Sequence, residues 1–471
     1  MKVLLINPPS FQEILGNNPK VVEEERGYTP PLGLLYLAAC LPEKDGFQVL
    51  VHDSQVEESS WDDIRKKVVD FAPSVVGLTA MTFTLLDVMS TVRLVREAAP
   101  EARIVIGGPH AHIYPRETME ALGADFVIQG EGEHSFRMLL EALESGSGLD
   151  SVPGLWYRDG ASLKSGPQPE AIEDLDSLPF PDRRAVPYRK YSSILSSVSP
   201  VTTMFTSRGC PFRCTFCDRP HLGKRFRARS AESVVSEMKE CQSLGIREIL
   251  IYDDTFTVDR RRVLDVCRLY LEQGLSVGWD IRARVNTIDE ETAYWLSRAN
   301  CRRIHFGVEA GTEKILKTLN KGITLDEAEK AFKLARKYGM ETLAYFMIGA
   351  PGETEDDIQA SFRFARKLDP DYLHLTVLTP FPGTEVYRQG LEAKLFPDFW
   401  ASFAARPDRA FTPLFWEEII SAERLKELVA SGYKGFYFRP AYILKRLWRV
   451  RSSAELVKKA GAALKLFNWR Q

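Results

Sequence analysis

Hydrophobic and polar positions follow two long alternating series along this chain, each pairing short apolar runs with longer segments of helical spacing. In the first series, apolar runs at 2–6, 47–52, 74–78, 103–106 and 126–128 predict strands. Between them, 32–40, 61–71 and 85–98 carry apolar residues at helical spacing. Short buried strands alternating with helices predict an α/β, Rossmann-like domain with a parallel, doubly wound sheet. Such sheets bind ligands beyond the carboxyl ends of their strands. Those ends carry Asn7-Pro8-Pro9, Thr79-Ala80-Met81-Thr82, Gly107-Gly108-Pro109-His110 and Gly130-Glu131-Gly132.

Residues 146–199 break the pattern. Val152-Pro153-Gly154, Arg158-Asp159-Gly160 and Pro179-Phe180-Pro181-Asp182 punctuate short segments, which reads as a linker with room for one hairpin. The second series then predicts strands at 202–206, 248–252, 276–281, 303–308, 342–348 and 372–378. Its helices have readable ends. Thr324 and Glu327 form a capping box with Gly339 as the stop, and Asp259 caps a helix that stops at Gly274. Six strand–helix units make a partial (β/α)6, TIM-like barrel, with its chemistry at the carboxyl ends of the strands. The expected organisation is a Rossmann-like domain over 1–145, a linker over 146–199, the partial barrel over 200–384 and a helical C-terminal region over 385–471.

Composition narrows the class. With 44% hydrophobic and 27% charged residues the chain is neither disordered nor collagen-like. Its 62 basic and 64 acidic residues nearly cancel, so no nucleic-acid partner is expected. No apolar stretch approaches the roughly 20 residues of a membrane span. Residues 1–9 read as a strand entering a loop rather than a signal peptide, and a cytoplasmic location is expected. The charge is uneven, however. Residues 438–471 are rich in Lys and Arg, with Ile443, Leu444, Leu447 and Val450 at rough helical spacing. Two readings fit: a helix packed on the barrel, or peripheral contact with a membrane or lipid-like substrate. Seven cysteines are too few for a disulfide framework and point to metal binding or catalysis.

Three of those cysteines carry the chemistry. Ser207-Arg208-Gly209-Cys210-Pro211-Phe212-Arg213-Cys214-Thr215-Phe216-Cys217-Asp218 follows the first strand of the second series, with spacing C-x3-C-x2-C. Three soft thiolates suit an iron–sulfur cluster or zinc. Structural zinc wants a fourth ligand, for which His221 is the nearest candidate. A [4Fe–4S] cluster normally takes four thiolates, so three leave one iron open to a small molecule. Cys40, Cys241, Cys267 and Cys301 read as core filler. The basic run Arg219, Lys224, Arg225, Arg227 and Arg229 reads as a solvated face, with cluster charge or an anionic substrate as the other reading.

The loop resembles the signature of the radical S-adenosylmethionine (SAM) superfamily, C-x3-C-x-aromatic-C, which Cys210, Cys214, Phe216 and Cys217 fit. That resemblance implies a [4Fe–4S] cluster whose open iron binds the amino and carboxylate groups of SAM, and whose electron cleaves the sulfonium to a 5′-deoxyadenosyl radical. It implies roles at later strand ends. Asp253 and Asp254 would contact the methionyl amine, Arg282 and Arg284 the SAM carboxylate, and Glu309 the ribose hydroxyls. Gly349 would let backbone approach adenine. The structural alternatives are a helix cap or salt bridge for the acidic pair, pairing of the arginines with Asp280 and Asp289, and a salt bridge for Glu309.

The domain ahead of the barrel is similar to the cobalamin-binding domain of cobalamin-dependent radical SAM enzymes. The similarity rests on Asn7-Pro8-Pro9, Gly27-Tyr28-Thr29-Pro30-Pro31-Leu32-Gly33-Leu34, Gly107-Gly108-Pro109-His110 and Gly130-Glu131-Gly132-Glu133. It implies Asn7, Pro8, Thr79, Gly107, Gly108, Gly130 and Glu131 as cobalamin contacts. No Asp-x-His-x-x-Gly motif occurs, and His52-Asp53 and His110 read as polar surface or loop groups, so no histidine is expected below the cobalt. A domain that has lost cobalamin and only packs on the barrel is the alternative. Together the resemblances imply an enzyme that methylates an unactivated carbon of a small molecule, a hydrophobic one included. Its electrons would come from a low-potential donor such as flavodoxin or ferredoxin. Oxidative cyclisation or ring rearrangement is the alternative within the class, and a cobalamin or redox sensor the alternative outside enzymes.

Overall fold

The apolar runs of the N-terminal third form one sheet. The structure, a computed structural model, describes residues 1–14, 27–218 and 223–447. Strands β1 (Lys2–Asn7), β2 (Gln48–Asp53), β3 (Val75–Thr79), β4 (Arg103–Gly107) and β5 (Phe126–Ile128) are parallel, in the order β2-β1-β3-β4-β5. Between them lie α1 (Leu32–Ala39), α2 (Trp61–Phe71), α3 (Leu85–Ala98), α4 (Pro109–Ile113) and α5 (Pro115–Leu122), with α6 (Gly132–Ser145) after β5. The strands are apolar on both faces because helices cover both. Val3 and Leu5 pack with α1 and α6, while Leu4 and Ile6 pack with α2 and α3. Strand order reverses at β1, so the loops after β1 and β3 part and open a crevice.

The expected linker contributes its hairpin to this sheet. β6 (Leu155–Asp159) pairs antiparallel with β5, and β7 (Ser162–Ser165) with β6. The rest of the segment runs alongside the barrel.

The second series gives a six-stranded parallel sheet, ordered β15-β14-β13-β12-β11-β8. Its strands are β8 (Val201–Met204), β11 (Glu248–Ile251), β12 (Gly278–Ala283), β13 (Cys301–Glu309), β14 (Glu341–Ile348) and β15 (Tyr372–Val377). A short antiparallel ribbon, β9 (Ser207–Arg208) with β10 (Arg227–Ala228), flanks the cysteine loop. Helices α7 (Ala231–Ser243), α8 (Arg260–Glu272), α9 (Glu290–Arg298), α10 (Glu313–Thr318), α11 (Leu325–Lys337) and α12 (Glu355–Leu368) pack outside. The expected caps are present: Asp259 accepts from the Arg262 amide, and Thr324 with Glu327 forms a capping box.

The sheet does not close, and side chains satisfy both edges. On β8, the Val201 amide donates to the Tyr191 carbonyl, and Arg183 donates to the Thr203 carbonyl. The C-terminal region holds α13 (Glu385–Glu392), α14 (Phe399–Ala405), α15 (Ala422–Tyr437) and α16 (Pro440–Leu447). From α15, the Tyr437 and Tyr433 hydroxyls accept from the Leu373 and Leu375 amides of β15 at 2.9 and 3.0 Å. α14 packs on α5 of the N-terminal domain. Among the described residues no helix is long and apolar enough to cross a membrane. The basic segment 448–471, Arg219 and His221 lie outside the described residues.

Buried charges tie the units together. Arg208 reaches Glu133 at 2.5 Å, and Arg227 reaches Glu131 at 2.5 Å. Glu237, fully buried on α7, accepts from Arg183 at 2.5 Å and from Arg229. The basic run is therefore not one solvated face. Lys224 and Arg225 are exposed, while Arg227 is buried against Glu131, 96 residues earlier, and Arg229 against Glu237, eight residues later. Glu131, expected at cobalamin, is instead turned into this network.

Two stability predictions follow from these contacts. Arg208→Met leaves Glu133 buried without its cation, and urea unfolding should show a loss of about 3–5 kcal/mol, partly recovered by adding Glu133→Gln. A loss below about 1 kcal/mol would place the pair among solvent-screened ones. Glu353 accepts from the Gly349 and Ala350 amides, and burial pushes its carboxyl up to about 7. Below the unfolded value near 4.5 the raised pKa carries its full stabilisation, and this is lost as pH rises through about 7. Glu353→Gln keeps an acceptor for both amides. Its stability relative to wild type should therefore rise from about pH 5 to about pH 8, by on the order of 3 kcal/mol. The same difference at both pH values would contradict the raised carboxyl.

Candidate active site

The cysteine loop leaves β9 at Gly209, whose φ of 77° makes the turn, and runs without regular secondary structure to Asp218. A loop without its own ladder must be held from outside. Asp253, fully buried at the end of β11, is one brace. Its carboxylate accepts from the Thr206 and Ser207 amides at 2.6 and 3.0 Å and from their hydroxyls at 2.5 and 2.6 Å. Four donors occupy both oxygens, so Asp253 holds the approach to Cys210 rather than waiting for a methionyl amine. Asp254 is exposed.

The second brace is the turn 318–322, after α10. The Thr215 amide donates to the Leu319 carbonyl at 3.0 Å, and Asn320 Nδ2 donates to the Arg213 carbonyl at 2.7 Å. From α13, the Val386 amide donates to the Thr215 carbonyl.

Arg284, buried at the end of β12, is the third. Its guanidinium stacks 3.9 Å from the Phe212 ring centre, donates from Nη1 to Cys214 Sγ at 3.4 Å, and donates from Nη2 to the Lys321 carbonyl. Arg282 stacks on Tyr252 at 3.9 Å and donates to the Ile251 carbonyl. Among the described residues neither arginine forms an ion pair with Asp280 or Asp289. Arg303 and His305 take Asp280, and Arg260 takes Asp289. Arg284 is thus committed to the cysteine loop, and Arg282 alone stays half-buried on the inner face of the sheet.

Cys210 and Cys214 are buried and Cys217 half-buried, all with free thiols. Cys210 Sγ lies 3.7 Å from Thr255 Oγ1. Three thiols on one braced loop suit a cluster with one open iron. Among the described residues no three His, Cys, Asp or Glu side chains are gathered for a single ion, and His221, the fourth zinc ligand considered, lies outside them.

Glu309 sits in a bulge at the end of β13 with φ of 72°, a strained conformation for a glutamate. Lys321 Nζ lies 2.6 Å from its Oε1. A Cβ at Gly307 would lie 2.5 Å from that oxygen and 2.8 Å from Lys321 Nζ, so a side chain there would displace the pair. Lys321 was not legible in the sequence. It stands between Asn320 and Gly322, both left-handed, and that Asn-Lys-Gly turn is the one local signal it had. Gly349 has φ of 85°, with its amide held by Glu353. Phe216 lies 5.7 Å from Lys321 Nζ.

In the N-terminal domain, Asn7 donates to Asp53 at 2.7 Å, Tyr191 donates to the same carboxyl at 2.7 Å, and the Pro8 carbonyl accepts from Gln55. Burial raises the Asp53 carboxyl above its ordinary value. Gly108, with φ of 99°, packs where a Cβ would meet the Ala80 carbonyl at 2.8 Å and Thr79 Oγ1 at 2.9 Å. A Cβ at Gly130 would meet Pro169 at 2.8 Å, whereas one at Gly107 would have nothing nearer than 3.8 Å. His52, Asp53 and His110 are buried, not surface groups, because the linker's Tyr191 and helix α4 cover this edge of the sheet. Among the described residues the buried atoms His52 Nε2, Ser54 Oγ, His110 Nε2 and His112 Nδ1 have no hydrogen-bond partner, and all follow the ends of β2 and β4 or close them. A corrin rim carries amides that can serve such atoms, so the edge fits cobalamin chemically.

Comparison with known proteins agrees with this geometry. The radical SAM superfamily model matches residues 204–365, and the B12 binding domain model matches residues 20–140. The chain is 33% identical to an uncharacterized methyltransferase of Pyrococcus horikoshii, across 95% of each chain. It is 30% identical to the cytidylyl-2-hydroxyethylphosphonate methyltransferase of Streptomyces wedmorensis, across 88% of this chain and 91% of that one. Identity to the anaerobic magnesium-protoporphyrin IX monomethyl ester cyclase of Rubrivivax gelatinosus is 27%, across 94% and 78%. The fold resembles that of the cobalamin-dependent S-adenosylmethionine radical enzyme OxsB, with a TM-score of 0.75 at 19% identity over 99% of this chain and 72% of that one. The chain belongs to the cobalamin-dependent radical SAM enzymes, with a B12-binding domain ahead of a radical SAM barrel.

Proposed function

We propose that this enzyme methylates an unactivated carbon of a small-molecule substrate. The observation that carries this reading is likeness to two methyltransferases at 30% identity or more across both the B12-binding domain and the barrel. When bound, SAM at a reduced [4Fe–4S] cluster supplies a 5′-deoxyadenosyl radical, and cobalamin carries the methyl group.

The chain's own residues do the positioning. Cys210, Cys214 and Cys217 hold the cluster and leave one iron for SAM. Arg282 is the cation available to the SAM carboxylate, Glu309 with Lys321 faces the ribose, and the Gly349 turn admits adenine. Asn7, Pro8, Thr79, Gly107, Gly108 and Gly130 form the edge against which cobalamin lies. The division of labour follows the two sheets, with 1–145 serving cobalamin and 200–384 serving SAM and the cluster. Electrons come from a flavodoxin or ferredoxin, the enzyme works in the cytoplasm, and the basic tail is the segment that would touch a membrane. Likeness to the anaerobic cyclase supports a second reading, oxidative ring formation without methyl transfer.

The test is anaerobic, with reconstituted cluster, hydroxocobalamin, SAM and a low-potential reductant. Mass spectrometry should find both 5′-deoxyadenosine and S-adenosylhomocysteine, and Cys217→Ala should bring 5′-deoxyadenosine to background. If 5′-deoxyadenosine forms without S-adenosylhomocysteine, the cyclisation reading replaces methylation. If neither forms on cluster-loaded protein, the enzyme reading fails in favour of a sensor.

A further inference from the structure

We propose that Arg284 is a positioning residue that sets the reduction potential of the cluster held by Cys210, Cys214 and Cys217. The inference rests on the proposed cluster site. Arg284 is 5% exposed, and its Nη1 is 3.4 Å from Cys214 Sγ. A buried cation so close to a thiolate acts with little screening. Stacking on Phe212 and donation to the Lys321 carbonyl fix the guanidinium plane, so the charge cannot swing away.

Two further observations point to a ligand. Among the described residues Arg284 Nε is buried without a hydrogen-bond partner, and a cluster sulfur is an acceptor of the right kind. Among the described residues no carboxylate pairs with Arg284, whereas the neighbouring Lys321 is neutralised by Glu309 at 2.6 Å. An uncompensated buried cation is costly unless an anion arrives beside it. Three thiolates and their cluster are net negative, and become more so by one charge on reduction. Arg284 is their counter-charge. It favours the reduced form, and its removal lowers the potential.

The experiment is an EPR-monitored redox titration of the reconstituted full-length protein without SAM, alongside iron and sulfide content. The proteins compared are wild type, Arg284→Gln, Arg284→Lys and Phe212→Leu. Arg284→Gln should shift the midpoint negative by at least a tenfold change in the one-electron equilibrium, about 59 mV. Arg284→Lys keeps the charge and should stay nearer wild type, while Phe212→Leu should shift in the same negative direction by less. A Gln variant with full iron and the wild-type potential overturns the proposal, as does a Lys variant shifted as far as Gln. If the Gln variant assembles no cluster, wild-type potentials in both the Lys and Leu variants overturn it. Wild-type protein that takes up no iron overturns the cluster assignment, and the proposal with it.

Discussion

A parallel sheet of six strands that stops short of a barrel leaves β8 and β15 each with one row of unpaired backbone groups. Full closure would remove those edges, but it would also fill the interior with side chains. Here both edges take hydrogen bonds from groups outside the barrel. Arg183 and the Tyr191 carbonyl serve β8, while Tyr433 and Tyr437 serve β15. The segment before the barrel and the helices after it are therefore structural parts of it. Tyr191 does double duty, since its hydroxyl holds Asp53 at the edge of the B12-binding sheet. The open side that large cofactors need is kept without exposing backbone.

The same economy governs the buried charges. An ion pair taken out of water gains little over an apolar contact of equal volume. What it adds here is direction. Glu237 holds Arg183 from the segment before β8 and Arg229 from just after β10, so one carboxylate fixes both arms. Glu131 is likewise shared, by Arg227 at 2.5 Å and Arg208 at 3.5 Å. Arg208 stands two residues before Cys210, so the loop after β5 and the start of the cysteine loop are set against each other.

The strands and helices were legible because their signals are local. Apolar runs, capping residues and glycine stops sit within a few positions of what they specify, and Thr324 with Glu327 is a case in point. The three cysteines were legible because their chemistry lies in their spacing. What stayed hidden was partnership. Asp253 looked like a free acid at a strand end, yet its four donors come from a neighbouring strand end 46 and 47 residues away in sequence. Arg227 looked like solvated charge, yet topology brings Glu131 to it from 96 residues away. Lys321 had no motif, since its partner Glu309 lies across a bulge in β13.

The two faces of the barrel sheet show what the opening is for. The outer face is aliphatic and aromatic, as Ile304, Phe306 and Val308 of β13 illustrate. The alternate positions facing inward mix polar groups such as Arg303, His305 and Tyr345 with apolar Leu343, which lies in register with His305. Deep in the sheet, Arg303 pairs with Glu248 and Asp280, which seals that end. Although burial opposes it, His305 and Arg303 hold the Asp280 carboxyl below its ordinary value, and burial lowers His305. His305 Nε2 lies 3.2 Å from Asp280 Oδ2, and its Nδ1 lies 3.1 Å from the Tyr345 hydroxyl. The half-buried Tyr345 stands on this face alongside the half-buried Arg282 and His374. Covering such a wall with pure hydrocarbon costs about 1–3 kcal/mol for each polar group left unpaired. Whatever lies over it must therefore bring polar atoms of its own, through SAM or through the substrate.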